Sequence, residues 1–342
     1  MAPLTRARSP DTIPTALNAE YYRQRAGAGM IVSEATAICS QGTGAYKGPG
    51  LYDDRQIAGW QNVTRAVHDQ GGLIVAQLWH AGRMAHPGFL PDGLWPVAPS
   101  AIAADALVKT PDGHEQLVKP RMLDSAEIAQ IPGQYAAAAQ AAMDAGFDGV
   151  ELHGANGYLI DQFLRSSANK RTDGWGGTIA KRCRFLFEVA AAVAGVVGPQ
   201  KTGVRISPTS PVGDIWDENP LALYSHAAQG LNDLSIGYVH VVEGNTSGEP
   251  EDHDRILTQA LRRSFKGDII ANNGYDLHTA EHAIAEGMAT AISFGRPFIS
   301  NPDLPARAQH DLPLTPLDRA TVYLDGETGY TDYPPATEGS IS

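Results

Sequence analysis

Short runs of nearly continuous apolar residues recur along the chain, separated by stretches whose apolar positions return every three or four residues. The runs are MAPLT (1–5), GMIVSEAT (29–36), LIVAQLWH (73–80), GVELH (149–153), TGVRISP (202–208), YVHVVEG (238–244), DIIANNG (268–274) and TAISFGRP (290–297). A strand covered on one face alternates apolar and polar residues. Most of these do not, so they predict parallel strands buried on both faces. Between them, SAEIAQIPGQYAAAAQAAMDAG behind Asp124 as N-cap, RFLFEVAAAVAGVV ahead of a Gly-Pro stop, ALYSHAAQGLNDL and TAEHAIAEGM carry helical patterning. Eight strands with seven or eight helices predict an α/β fold, a (β/α)8 TIM barrel, over a doubly wound sheet. No G-x-G-x-x-G follows any run, and no Walker A sequence is present.

Three segments interrupt the rhythm. Residues 84–123 contain six prolines and stand between the third run and its helix, as a lid or binding loop would. NKRTDGWGG (169–177) reads as a second loop on the active face. PPATEGSIS, residues 334–342, reads as a solvated tail, leaving 1–333 as one barrel domain. Composition narrows the partners. A net charge of −12 is the wrong sign for a nucleic-acid surface. Cys39 and Cys183 are too few for a disulfide framework and fit a reducing, cytoplasmic setting. MAPLTRARSP has no apolar run behind it, and FLFEVAAAVAGVVG is too short to span a bilayer and contains Glu188. The expected partner is a small molecule, with neither nucleic acid nor membrane, and a monomeric or homodimeric chain.

In such a barrel, the carboxyl ends of the strands hold the active site. Strand parity places Glu151 and His153 on one face and Val150 and Leu152 on the other, so His153 should point into the barrel mouth. Gly274 and Gly295 allow close backbone approach and Arg296 adds a cationic fork, which suits a phosphate; the alternative is tight turns and a surface ion pair. Arg205 falls on an interior strand and needs either an anionic ligand or an interior carboxylate. Gln77 and Trp79 share parity, offering an amide and a flat apolar wall. VELHGANGYLIDQFL, residues 150–164, starts as a strand and ends as an amphipathic helix. Its His153 and Asn156 are two neutral donors able to converge on one oxygen, and Tyr158 is a weak acid at the start of the helix.

MAPLTRAR, EYYRQRAGAGMIVSEAT, VAQLWHAGR, VELHGANGYLIDQFL, VRISP, NNGYD, SFGRPFISNPDL and GYTDYP, in this order over nearly the whole chain, together resemble the old yellow enzyme family of FMN-dependent ene reductases. The subgroup resembled is that of N-ethylmaleimide reductases and 12-oxophytodienoate reductases. The resemblance implies FMN with its phosphate at Gly274, Gly295 and Arg296, and with Asn273 and Phe294 also in the cofactor site. It implies a flavin ring bordered by Pro3, Leu4, Thr5, Ala35 and Gln77, with Arg205 at its electron-accepting edge. Trp79 and Tyr323 would line the substrate pocket. NADPH or NADH would reduce the flavin and leave. An activated alkene would then take its place, its oxygen held by His153 and Asn156, its β-carbon receiving hydride and its α-carbon a proton from Tyr158.

Thr5 stands where a thermophilic-like subgroup carries cysteine, and no cysteine cluster supports the larger iron–sulfur relatives. Family members carry a further lead before MAPLT, so a shortened first strand is expected, with Pro3, Leu4 and Thr5 prone to fray and flavin retention weakened. Of other classes, a metal-dependent hydrolase built on Glu34, His80, His153 and His240 lacks the usual ligand spacing. A Schiff-base aldolase lacks a lysine at any strand end.

Overall fold

A computed structural model describes residues 1–246, 248 and 250–336. Residues 337–342 of the expected tail lie outside the described residues. Seven parallel strands run consecutively around one sheet: β1 (Ile31–Val32), β2 (Ile74–Trp79), β3 (Gly149–Gly154), β4 (Thr202–Ile206), β5 (Tyr238–Val242), β6 (Asp268–Asn272) and β7 (Ala291–Ser293). A further two-residue strand, Thr36–Ala37, pairs with the end of β2. The fold is a (β/α)8 barrel.

The expected first strand differs. Residues 1–5 form no strand. The Met1 amine donates to the Met30 carbonyl (2.6 Å), the Val32 amide to the Met1 carbonyl (3.1 Å) and the Ala2 amide to the Phe294 carbonyl (2.9 Å), so the segment bridges β1 and the end of β7. Pro3 has no N–H to donate, and the pairing goes no further. The segment is nonetheless seated: Met1, Ala2 and Pro3 are buried, and Ala2 through Thr5 line the central cavity.

Helices wrap the sheet: α1 (Ala16–Arg23), α2 (Asp54–His68), α3 (Ser125–Asp144), α4 (Leu159–Leu164), α5 (Ile179–Val197), α6 (Pro220–Asp233), α7 (Asp252–Ser264), α8 (Leu277–Ala285), α9 (Arg296–Ser300) and α10 (Leu304–Gln309). Asp124 caps α3 through the amides of Ala126 and Glu127, and Glu127 returns a bond to the Asp124 amide. Val150 and Leu152 are fully buried in the main core, while Glu151 and His153 face inward as parity requires. The helix after β3 is not amphipathic. All six residues of α4 are buried, because α5 and the turn at residues 82–84 pack against it: Phe163 stacks on Phe185 (4.2 Å), and Gln162 accepts the Arg83 amide and donates to the Ala81 carbonyl.

The insertion builds a hairpin, Leu107–Thr110 with Gly113–Gln116, and a parallel pair, Val97–Ala98 with Arg121–Met122. Arg171 of the 169–177 loop donates to the Pro99 and Leu123 carbonyls and fastens that loop to the insertion. Neither segment lines the central cavity.

Candidate active site

The cavity at the carboxyl ends of the strands has a volume of about 1030 Å³, the upper end of the range for small-molecule and cofactor pockets. His153, Asn156 and Tyr158 line it, together with Pro3, Leu4, Thr5, Gln77, Arg205, Asn273, Gly274, Phe294, Gly295, Arg296 and Tyr323. Ala35 and Trp79 do not. Ala35 packs against Ala37 and Trp79, and Trp79, 2% exposed, lies behind the His153 and Tyr158 rings. Its ring stacks on His153 (centroids 6.2 Å, 15°) and meets Tyr158 edge-on (4.7 Å, 76°), while His153 and Tyr158 meet at 4.7 Å and 69°. The indole therefore packs against both rings from behind.

The turn after β3 fixes Asn156. Asn156 and Gly157 both take positive φ (55° and 77°), a conformation that asparagine tolerates and glycine favours. A Cβ on Gly157 would meet the Val212 carbonyl at 2.6 Å. The Asn156 amide donates to Ser207 Oγ (2.7 Å) and the Gly157 amide to the buried Asp161 carboxylate (3.0 Å). Arg165 and the Tyr224 hydroxyl donate to the same carboxylate (3.0 and 2.7 Å).

Beneath the cavity lies a polar network contributed by β2, β3, β5 and β7. The Gln77 amide donates to Glu151 (2.7 Å), the Tyr238 hydroxyl donates to its other oxygen (3.1 Å), and His240 Nδ1 lies 2.9 Å from that same oxygen. Burial opposes charge on Glu151, but His240, Arg205 and Gln77 outweigh it and hold the carboxyl down at about 2. Arg205 donates to Asn272 Oδ1 (2.7 Å), and Asn272 donates to the Ser293 carbonyl (2.8 Å). The interior carboxylate Glu151 attracts Arg205, while its buried Nε has no partner among the described residues and its side chain lines the cavity.

Burial, aided by Arg205, lowers His153 to about 3, so its imidazole is neutral at physiological pH. Burial and the neighbouring Tyr323 phenol raise Tyr158 to about 12, so it keeps its proton. His153 Nδ1 and Asn156 Oδ1 are buried without hydrogen-bond partners among the described residues. At the far end, Asn273 and Gly274 take positive φ (90° and 68°), and the Arg296 guanidinium makes no hydrogen bond or ion pair among the described residues.

The remaining strand-end candidates are structural. Glu34 accepts the Arg6 and Ala7 amides, and His80 Nδ1 accepts the Gly82 amide. No three His, Cys, Asp or Glu side chains converge as a metal site among the described residues.

The comparisons decide the family. The model of the NADH:flavin oxidoreductase / NADH oxidase family matches residues 1–315. The chain belongs to that family. It is 41% identical over 339 residues to 12-oxophytodienoate reductase 1 of Oryza sativa subsp. japonica, covering 98% of this chain and 88% of that protein. It is 42% identical over 342 residues to the "Probable flavin mononucleotide-dependent alkene reductase" of Leishmania infantum, covering 98% and 92%. Among solved structures, morphinone reductase superposes with a TM-score of 0.95 at 42% identity (99% of this chain, 92% of that one). An old yellow enzyme homologue from Zymomonas mobilis gives 0.94 at 45% (98% and 94%).

This is an FMN-dependent oxidoreductase of the old yellow enzyme type. The residues present fit that cofactor: two cavity-facing arginines, Arg205 and Arg296, have donors without protein partners, and the Asn273–Gly274 turn sits beside one of them. No described helix is long and apolar enough to cross a membrane.

Tyr238, Ser293 and the Glu151–His240 contact were not assigned by sequence reading. Parity along YVHVV puts Tyr238 and His240 on one face, which was the available signal. Their partners lie on other strands.

Proposed function

We propose that the enzyme reduces the activated C=C bond of α,β-unsaturated carbonyl or nitro compounds, with NADPH or NADH and the alkene using one place in turn. The observation that carries this reading is the convergence of His153, Asn156 and Tyr158 on the cavity that also holds Arg205 and Arg296. FMN, when bound, supplies a hydride carrier that accepts from nicotinamide and delivers to the alkene. Gly274, Gly295 and Arg296 would hold its phosphate, and Pro3, Leu4, Thr5, Gln77, Asn273 and Phe294 would border the remainder.

The protein's own part is binding, orientation and one proton. Neutral His153 offers an N–H without carrying a charge into the site, and the Asn156 amide offers a second donor. Aimed at an oxygen that gains charge as the alkene is reduced, such donors are worth about 3–4 kcal/mol each. Tyr158, protonated across the working range, supplies the proton to the α-carbon. Trp79 keeps both rings in place from behind.

Anaerobic titration with each nicotinamide, followed by reoxidation with a panel of enones and nitroalkenes, tests the reading. Bleaching and alkene-driven recovery are expected. A His153→Ala, Asn156→Ala double substitution should keep bound FMN and lose enone turnover; unchanged turnover would remove their assigned role.

A further inference from the structure

The segment from Arg319 to Gly329 borders the cavity mouth with only one turn of 3-10 helix, yet its Val322 and Tyr323 line the cavity. It has no sheet partner to fix it. Two arginines of the first segment hold it by its backbone. Arg6 donates to the carbonyls of Val322 (3.3 Å) and Gly329 (2.5 Å). Arg8 donates to Gly326 (3.0 Å), Val322 (2.9 Å), Thr321 (3.2 Å) and Thr328 (2.9 Å). A guanidinium fork can reach several carbonyls at once, which a lysine ammonium cannot do with the same geometry.

These cations are in an unusual place. Arg6 is 0% and Arg8 3% exposed, and neither shares an ion pair with a carboxylate among the described residues, unlike Arg165 or Arg182. Both lie over the Tyr330 ring, 5.1 Å from Arg6 and 4.4 Å from Arg8; Arg6 also donates to the Tyr21 hydroxyl (3.1 Å) and Arg8 to the Arg6 carbonyl (3.0 Å). Burying two like charges side by side is costly, and an apolar residue would serve a mere spacer better. What the pair accomplishes is to join the first segment, which forms one wall of the cavity, to the strap that forms another. Arg8 itself does not line the cavity.

We infer that Arg8 is a positioning residue. Through its four carbonyl bonds it hangs the 321–329 strap so that Tyr323 stands at the cavity mouth beside Tyr158, and so sets how tightly nicotinamide and alkene are held. The binding consequence rests on the proposed alkene reduction; the anchoring does not.

The test uses the full chain with Arg8→Lys and Arg8→Met. Hydrogen exchange of the 321–329 amides should speed up about tenfold or more in both, with β2 to β5 unchanged. KM for nicotinamide and for the alkene should rise about five- to tenfold while kcat per bound flavin changes less than about twofold. Unchanged exchange in the strap overturns the inference. So does a fall in flavin content and kcat with KM constant, the mark of a structural role alone. If the methionine variant fails to fold, the lysine variant decides. Wild-type protein that neither nicotinamide bleaches would sink the functional reading, and the exchange arm would still settle whether Arg8 holds the strap.

Discussion

Replacing Tyr158 by phenylalanine separates the proton from everything else the residue does. The ring packs edge-on against Trp79 and His153 at 4.7 Å in each case, and phenylalanine preserves both contacts. The phenol oxygen makes no protein hydrogen bond among the described residues and faces the cavity, so its removal breaks no bond and leaves no partner stranded. Stability should therefore change by less than about 0.5 kcal/mol. Catalysis should not escape so lightly. With Tyr158 held up at about 12, the phenol remains protonated throughout the practical pH range. Loss of a placed general acid costs about 10² to 10⁴ in rate, or about 3–5 kcal/mol of barrier. The cost falls on one half-reaction only, because nicotinamide oxidation needs no proton at the α-carbon. Anaerobic stopped-flow should show flavin bleaching by NADPH within about threefold of wild type, and reoxidation by an enone slowed by about 10² or more. Wild-type reoxidation should be flat from pH 6 to pH 10. Equal losses in both half-reactions, or a wild-type rate that declines with an unperturbed tyrosine pKa near 10, would refute the assignment.

Gly157→Ala forces an alanine into positive φ against the Val212 carbonyl, so a loss of about 2–3 kcal/mol in urea unfolding is expected, with enone turnover falling further because Asn156 moves. Gly203 stands directly across from Tyr238 in the β4–β5 register, and a Cβ there would overlap the Tyr238 ring. Gly203→Ala should cost about 1–3 kcal/mol and release the Tyr238 hydroxyl from Glu151, visible as a crystallographic ring shift. His80 is lowered to about 4 by burial, so the folded chain refuses a proton that the unfolded chain accepts below about 6.5. Its stabilising contribution, about 3 kcal/mol, is complete above pH 6.5 and lost as pH falls to 4. His80→Gln should flatten the pH 4–7 profile of thermal midpoints, while an unchanged slope would show that the imidazole titrates normally.

The sequence alone determined the alternation of elements and the inward face of each strand. In YVHVV and VELH the polar residues alternate with apolar ones, and parity suffices to aim Glu151, His153 and His240 inward once the strands are known to be covered on both sides. It also carried the three groups of the β3 turn, because His153, Asn156 and Tyr158 are close in the chain and a local turn brings them together. The cavity-lining pairs Asn273–Gly274 and Gly295–Arg296 were legible for the same reason: they are local to strand ends.

What depended on contacts between distant residues was decided only by the tertiary structure. Trp79 shares parity with Gln77, yet the packing of His153 and Tyr158 over it takes it out of the cavity. The six residues of α4 look amphipathic until α5 and the turn at residues 82–84 pack against them. Arg6 and Arg8 meet their carbonyl partners more than three hundred residues later, and backbone carbonyls carry no side-chain signature that a sequence could display. Local pattern fixes which way a side chain points. Only the closed barrel fixes what it finds there.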